Sequence, residues 1–327
     1  MIRATCDALP VPVPPDLNGR PRDSQTHDRL AADIPALGLI ETGGLAPAAP
    51  LALPLGVAAW NLERCLFPEA SAAHVADCDL WLLSEMDNGM ARTAQRHTTA
   101  EMAAALGGQH AYVVEYLELG LGAPIERDFC TDDHNARGFH GNALIARGAL
   151  HAPFALRLFG HRQWFADPEQ PRLGERVALG ARIETEAGPF LAVSTHLESA
   201  ASPAHRAAQI EGLIAALDHE FPHMPVLIGG DLNTGNHAGG DWRAEPLFDI
   251  ARAAGFSVHG GPENQPTTRA WLLTRFPDRV MKLDWFLARG MRLGPVEIRP
   301  ACGPDGTPLS DHDAIVTRIE ALEAAPA

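Results

Sequence analysis

In this chain of 327 residues, polar side chains of catalytic type recur where short apolar runs stop. Asn61 and Glu63 follow the run from Leu55 to Trp60, and Glu85 follows Asp79 to Ser84. His196 follows Phe190 to Thr195, and Asp231 and Asn233 follow Pro225 to Gly230. Asp311 and His312 stand just before the run from Ala314 to Ile319. The set supplies carboxylates, amides and imidazoles but no thiol. Hard oxygen donors of this kind suit Mg²⁺ or Mn²⁺ better than a thiolate-rich zinc site. Taken singly, each has a plainer reading: an Asx turn for Asp231, a surface ion pair for Glu63, a structural imidazole for His196.

Such residues must be positioned by regular elements. The runs above, with 110–116, 142–146, 177–183 and 283–288, have the length and the Gly, Pro and polar boundaries of buried strands. Ser202-Pro203 is a helix start, and Ile210, Leu213, Ile214 and Leu217 then mark one helical face. Thr98 to Glu101 has a capping-box pattern, and that helix should stop at Gly107-Gly108. Strands and helices alternate from residue 55, which predicts an α/β fold. Residues 1–50, with Pro10, Pro12, Pro14 and Pro15, read as an extended or looping arm ahead of a catalytic domain over 51–327.

Composition removes several mechanisms. Lys282 is the single lysine beside 25 arginines, so a phosphate loop of the Gly-Lys-Ser/Thr type is absent. The formal charge of −15 disfavours gripping long nucleic acids by phosphate neutralisation, with a local arginine groove remaining open. Five scattered cysteines argue for reduced thiols. With no secretory leader and no apolar run long enough to span a bilayer, a cytoplasmic protein without membrane insertion is expected.

Seven segments, in order, resemble motifs of the endonuclease/exonuclease/phosphatase family, the deoxyribonuclease-I-like fold. They are Trp60-Asn61-Leu62-Glu63-Arg64, Leu83-Ser84-Glu85-Met86-Asp87, the stretch from Gly141 to Arg147, and Ser194-Thr195-His196-Leu197. The rest are Gly229 to Thr234, Leu283-Asp284-Trp285-Phe286-Leu287, and Ser310-Asp311-His312-Asp313-Ala314. The resemblance implies a four-layer α/β sandwich, with two mixed sheets face to face and helices outside. It also implies metal-assisted hydrolysis of a phosphoester by in-line attack of water.

The resemblance assigns Glu85, Asn61, Asp311 and Glu63 to the metal. Asp231 would orient or deprotonate the attacking water, Asn233 would hydrogen-bond the phosphate, His196 would be a further catalytic histidine, and Asp284 would hold in one charged tautomer His312, which would donate to the phosphate or act as base. Asn142, Arg176 and Arg137 are candidate substrate-binding residues. The stretch 127–140 and the Asn236–Gly240 loop read as loops over the site or as further metal ligands. A small or short phosphoester is favoured over DNA or RNA, and a non-catalytic binding or scaffold protein on the same fold is the alternative of another class.

Overall fold

The computed structural model describes residues 1–45, 49–236, 240–270, 272 and 280–323. Among them two mixed sheets form. The larger holds ten strands. Its main path runs β1 (Thr5–Cys6), β2 (Ile40–Gly44), β5 (Gln109–Glu118), β6 (Phe139–Ala146), β4 (Leu80–Asn88), β3 (Leu55–Arg64), β16 (Ala314–Leu322) and β14 (Met291–Leu293). β8 (Arg172–Gly174) joins β5, and β15 (Glu297–Arg299) joins β16. The smaller sheet runs β12 (Ser257–His259), β13 (Asp284–Arg289), β11 (Val226–Asp231), β10 (Gly188–His196), β9 (Val177–Thr185) and β7 (His151–Arg157).

The two sheets face each other across an apolar layer that includes Val57, Leu82, Leu144, Leu179, Phe190, Leu227, Phe286 and Ile315. Each large side chain so buried contributes roughly 1.5–3 kcal/mol by leaving water. The outer face of the larger sheet packs on α2 (Pro68–His74) and α3 (Thr98–Leu106) through Trp60, Trp81 and Met102. The outer face of the smaller sheet packs on α5 (Pro203–Glu220) and α6 (Leu247–Ala253). The Ile210, Leu213, Ile214, Leu217 stripe is the buried face of α5, and Ser202 accepts from the His205 amide at its N-terminus. The four-layer sandwich expected from the sequence is therefore the architecture.

Local structure departs from expectation in three places. Thr98 is the first residue of α3 rather than its cap. Its hydroxyl donates to the Asp87 carbonyl, and the His97 ring takes the capping place. The arm over 1–50 is more regular than its prolines suggest. Ser24–Ala32 is a helix (α1), capped by Asp23, and β2 pairs with β5 as part of the larger sheet. Finally, β3 and β4 run past the expected strand ends, so Asn61, Glu63 and Glu85 lie within strands. Bulges at Asn61/Arg64 and Leu83/Met86 let pairing resume beyond them.

The approach of β10 to β11 depends on glycine. Gly230 has φ +146°, and a Cβ there would stand 2.0 Å from the Thr195 carbonyl oxygen, a backbone atom with nowhere to move. That pairing sets His196 directly opposite Asp231. Gly230→Ala should lower stability by about 1–3 kcal/mol. Urea unfolding tests this, and an unchanged midpoint would contradict the account.

Candidate active site

Register between strands assembles the site. β10 and β11 are parallel and pair His196 with Asp231, while β11 and β13 are antiparallel and pair Asp231 with Asp284. Asp231 thus sits between a histidine and a second acid before any side chain is considered. β3 and β4 bring Asn61 and Glu85 from the other sheet, and the Ser310–Asp313 segment enters ahead of β16. Ser310 Oγ donates to the Asn61 carbonyl (2.7 Å), and Trp60 Nε1 donates to the His312 carbonyl (2.7 Å), which ties that segment to β3.

The side chains converge on Asp231. Asn61 Nδ2 donates to Glu85 Oε1 and to Asp231 Oδ2, each at 3.1 Å. The other Asp231 oxygen accepts from the Asn233 amide at 2.8 Å, an Asx turn that leaves Asn233 in the left-handed region at φ 51°. Alternation along a continuing strand is therefore not what brings Asp231 and Asn233 to one cleft. Asn233 donates from Nδ2 to the Leu197 carbonyl (3.0 Å) and accepts at Oδ1 from Asn236 (2.5 Å). His196 Nε2 and His312 Nε2 lie 3.4 and 3.7 Å from Asp231 Oδ2.

The two histidines are driven to opposite charge states. Burial pushes His196 well below its ordinary value, and Arg176 reinforces this, with Nη1 2.9 and 3.0 Å from the two ring nitrogens. Burial opposes charge on His312 too, but Asp284 and then Asp231 overcome it and raise that ring well above the ordinary value. Asp284 Oδ2 accepts from His312 Nδ1 at 2.8 Å. Burial raises Asp231 to about 6, with His312 opposing and Asp284 adding to the rise. One ring pushed toward the neutral form and one pushed toward the charged form flank a single oxygen of Asp231, an environment-driven separation of the kind that assigns acid and base roles.

The donors fit a hard divalent cation. Glu63, Glu85 and Asp311 line one cleft with Asp231 and His312. Burial also raises Asp311, with Asp284 adding and His312 and Arg64 opposing. Carboxylates buried this close together are eased by a positive charge among them. Glu63 Oε2 accepts from the Asp311 amide at 2.9 Å, which links β3 to the last loop. Asp231, Asp284 and His312 bring one ligand atom each within 4.8 Å of the others at this cleft. Glu85 has φ 57° on the bulge of β4, and the Arg64 guanidinium contacts its Oε2. A left-handed non-glycine residue costs about 1–3 kcal/mol and persists where the surroundings over-determine it.

Two sequence candidates fall elsewhere. Asn142 is fully buried in β6, donates to the Val177 carbonyl (2.6 Å) and does not line the cleft. Arg137 donates to the Leu9 carbonyl (2.7 Å) and is likewise outside the cleft lining. Arg176 does line it, clasped by Glu115 at 2.6 Å and Glu198 at 3.4 Å. In the 127–140 stretch, Asp132, Asp133 and His134 are exposed, whereas His140 lines the cleft and bonds Asp87 (2.9 Å). Residues 237–239 of the Asn236–Gly240 loop lie outside the described residues.

Sequence reasoning passed over Arg64, Glu115, Trp164, Arg172 and Glu198. Arg64 stands inside the first motif and Glu198 two residues after His196, the only signals either carried. The cleft measures about 690 Å³. Among the described residues, its arginines are all paired: Arg64 with Glu85 and Glu126, Arg172 with Glu118, Arg176 with Glu115 and Glu198, and Arg269 with Asp313. Lys282 is no nucleophile candidate, since Nζ donates to the carbonyls of Gly260, Pro262 and Gln265.

The model of the endonuclease/exonuclease/phosphatase family matches residues 58–312. No curated protein is significantly similar by sequence. Among solved structures, an endonuclease/exonuclease/phosphatase from Beutenbergia cavernae superposes with TM-score 0.59 at 14% identity, over 84% of this chain and 72% of that one. Its counterpart from Bacteroides vulgatus gives 0.54 at 17%, over 82% and 99%. Beta toxin from Staphylococcus aureus gives 0.52 at 14%, over 80% and 99%.

In chelator-treated protein, the His312 ring should stay protonated well above the ordinary histidine pKa of about 6.5. Asp284→Asn removes the partner that favours the charged form, so deprotonation should move toward acid. Any basic limb of the activity profile that reports His312 should move the same way. Ring-resonance titration by NMR checks it, and an unmoved His312 titration in Asp284→Asn would remove the pair from the site's electrostatics.

Proposed function

The chain belongs to the endonuclease/exonuclease/phosphatase family, and on that premise we propose that it is a divalent-metal-dependent phosphoester hydrolase acting on a small or short substrate. The observation that carries this reading is Asp231, buried between a neutral and a charged histidine in a cleft that also holds Glu85 and Asp311.

Mg²⁺ or Mn²⁺, held by Glu85 and Asp311 with Asn61 and Glu63 in support, would polarise a phosphate oxygen and offset the charge that develops on it. The protein's own residues do the rest. Asp231, with a pKa near 6, accepts the proton of the attacking water and aims it along the line of the breaking bond. His312, kept charged by Asp284, donates to a phosphate oxygen as negative charge builds. His196 stays neutral and presents one ring nitrogen without adding charge beside Asp231. Asn233 has one amide hydrogen committed to Leu197 and the second for the phosphate.

The preference for a small or short substrate is supported by the cleft's charge balance. Among the described residues, every arginine lining it meets a carboxylate, which leaves little positive potential from them to condense a long polyanion. A nuclease with an arginine groove is the competing outcome, and salt dependence separates the two. Weak duplex binding with a shallow slope in log salt supports the small substrate, and tight binding with a steep slope supports the nuclease.

Hydrolysis of a panel of phosphomonoesters and diesters with Mg²⁺ or Mn²⁺ tests the reading. Excess chelator should abolish turnover. Glu85→Gln and Asp231→Asn should each lower kcat/KM by about 10²–10⁴. The melting temperature should barely fall in either. Full turnover in chelator, or unchanged kcat/KM in both variants, would defeat the assignment.

A further inference from the structure

Away from the cleft, three side chains of metal-ligating type close on one point beneath the N-terminal segment. Glu41 on β2, His97 ahead of α3 and His110 on β5 bring one ligand atom each within 4.8 Å of the others. None of the three lines the cleft. Glu41 and His110 are buried, 4% and 6% exposed, and His97 is half-buried. Glu41 Oε1 and His97 Nε2 are in direct contact, while His97 Nδ1 faces the Ala100 amide at 3.4 Å. The second Glu41 oxygen accepts from the Leu9 amide at 2.7 Å. His110 differs from both, because its Nδ1 is buried with no hydrogen-bond partner. Burying a polar nitrogen without a partner costs about 1–3 kcal/mol, so such an atom needs a reason.

The backbone explains how the three meet. β2 and β5 are antiparallel, with Gly43 opposite His110 and Glu41 opposite Tyr112. Glu41 and Gly43 share a face of β2, so Glu41 and His110 are diagonal neighbours on one side of the sheet. A Cβ on residue 43 would stand 2.7 Å from His110 Cε1, so glycine alone lets the imidazole lie across β2. The third donor arrives because His97 stands directly ahead of α3 with Nε2 facing Glu41; ligation through Nε2 would move the ring proton to Nδ1 and release its long 3.4 Å contact with the Ala100 amide.

We infer that Glu41, His97 and His110 form a second divalent-metal site, suited to a borderline ion such as Zn²⁺ rather than Mg²⁺. Two imidazoles and one carboxylate make a mixed nitrogen-oxygen set with three protein ligands, which Zn²⁺ accepts with water in the fourth position. Mg²⁺ prefers six oxygens and gains little from imidazole. At Zn–N distances of about 2.0–2.1 Å, tetrahedral donors stand roughly 3.4 Å apart. The three ligand atoms lie within 4.8 Å of one another, so small side-chain movements would bring them to that separation, Glu41 and His97 parting from their direct contact and His110 closing on them. The ion would tie β2, and through the Leu9 amide the chain ahead of it, to α3 and β5. Its role is to fasten the N-terminal segment to the larger sheet.

The test uses untagged full-length protein, dialysed with trace Zn²⁺ in excess Mg²⁺, with bound zinc counted by elemental analysis. Wild type and His312→Ala should both retain one zinc equivalent that His97→Gln and His110→Gln lose. Their zinc affinity should fall at least ~100-fold. Zn²⁺ should raise the melting temperature of wild type but not of His97→Gln. Co²⁺ should give wild type a visible spectrum of nitrogen coordination that His97→Gln lacks. Circular dichroism of the variants establishes that they are folded, and His97→Gln alone carries the test if His110→Gln is not. Equal zinc retention by wild type and folded His97→Gln would overturn the inference, as would loss of all bound zinc in His312→Ala, which would place the ion in the cleft.

Discussion

Asp231 and Asp284, buried side by side, are the constraint on which the site is built. Both are 2% exposed or less, and strand register sets them opposite each other. Two carboxylates removed from water at adjacent positions are costly unless positive charge and donors surround them. His312 answers that need for both, bonding Asp284 and approaching Asp231. Asn61 and the Asx turn of Asn233 supply the remaining donors. The groups that relieve the burden of two buried acids are thus the groups poised for phosphoryl chemistry.

The same accounting extends outward. Arg176 would be an uncompensated buried cation without Glu115 and Glu198, and burial raises Glu115 to about 7 even beside it. Arg92 is fully buried among Asp87, Glu118 and Glu126, and Glu126 also holds Arg64 against the cleft. These pairs tie the lining residues Arg64, Arg176 and Glu126 to buried partners and leave the described wall polar with its arginines paired. Such a wall orients a ligand by geometry and hydrogen bonds more than by long-range attraction.

Strain gathers at the point where the sheets deliver their residues. Glu63, Arg64 and Glu85 have positive φ, and the bulges of β3 and β4 fall beside them. A regular strand would send alternate side chains to opposite faces. The bulges break that alternation, so Asn61 and Glu85 meet from neighbouring strands that are parallel. The close apolar packing between the sheets holds this irregular edge in place.

The sequence by itself determined the central strands of both sheets, though not the short outer ones or those of the N-terminal arm and not His151–Arg157, and it determined the helix after Ser202 and the chemical types gathered in the cleft. These follow from local signals: apolar runs, caps and the polar residue after each run. It also set the partnership of Asp284 with His312, through the motifs that surround them. It could not decide which face a residue takes in a strand buried on both sides, where no alternation survives. Asn142 therefore looked like a cleft residue and is sealed beneath Val177 instead. Nor could it show that Glu85 sits on a bulge, that Arg137 serves Leu9, or that Glu41, His97 and His110 meet. Charge pairing and register join residues tens to hundreds of positions apart, and only the packed tertiary structure brings such partners within reach.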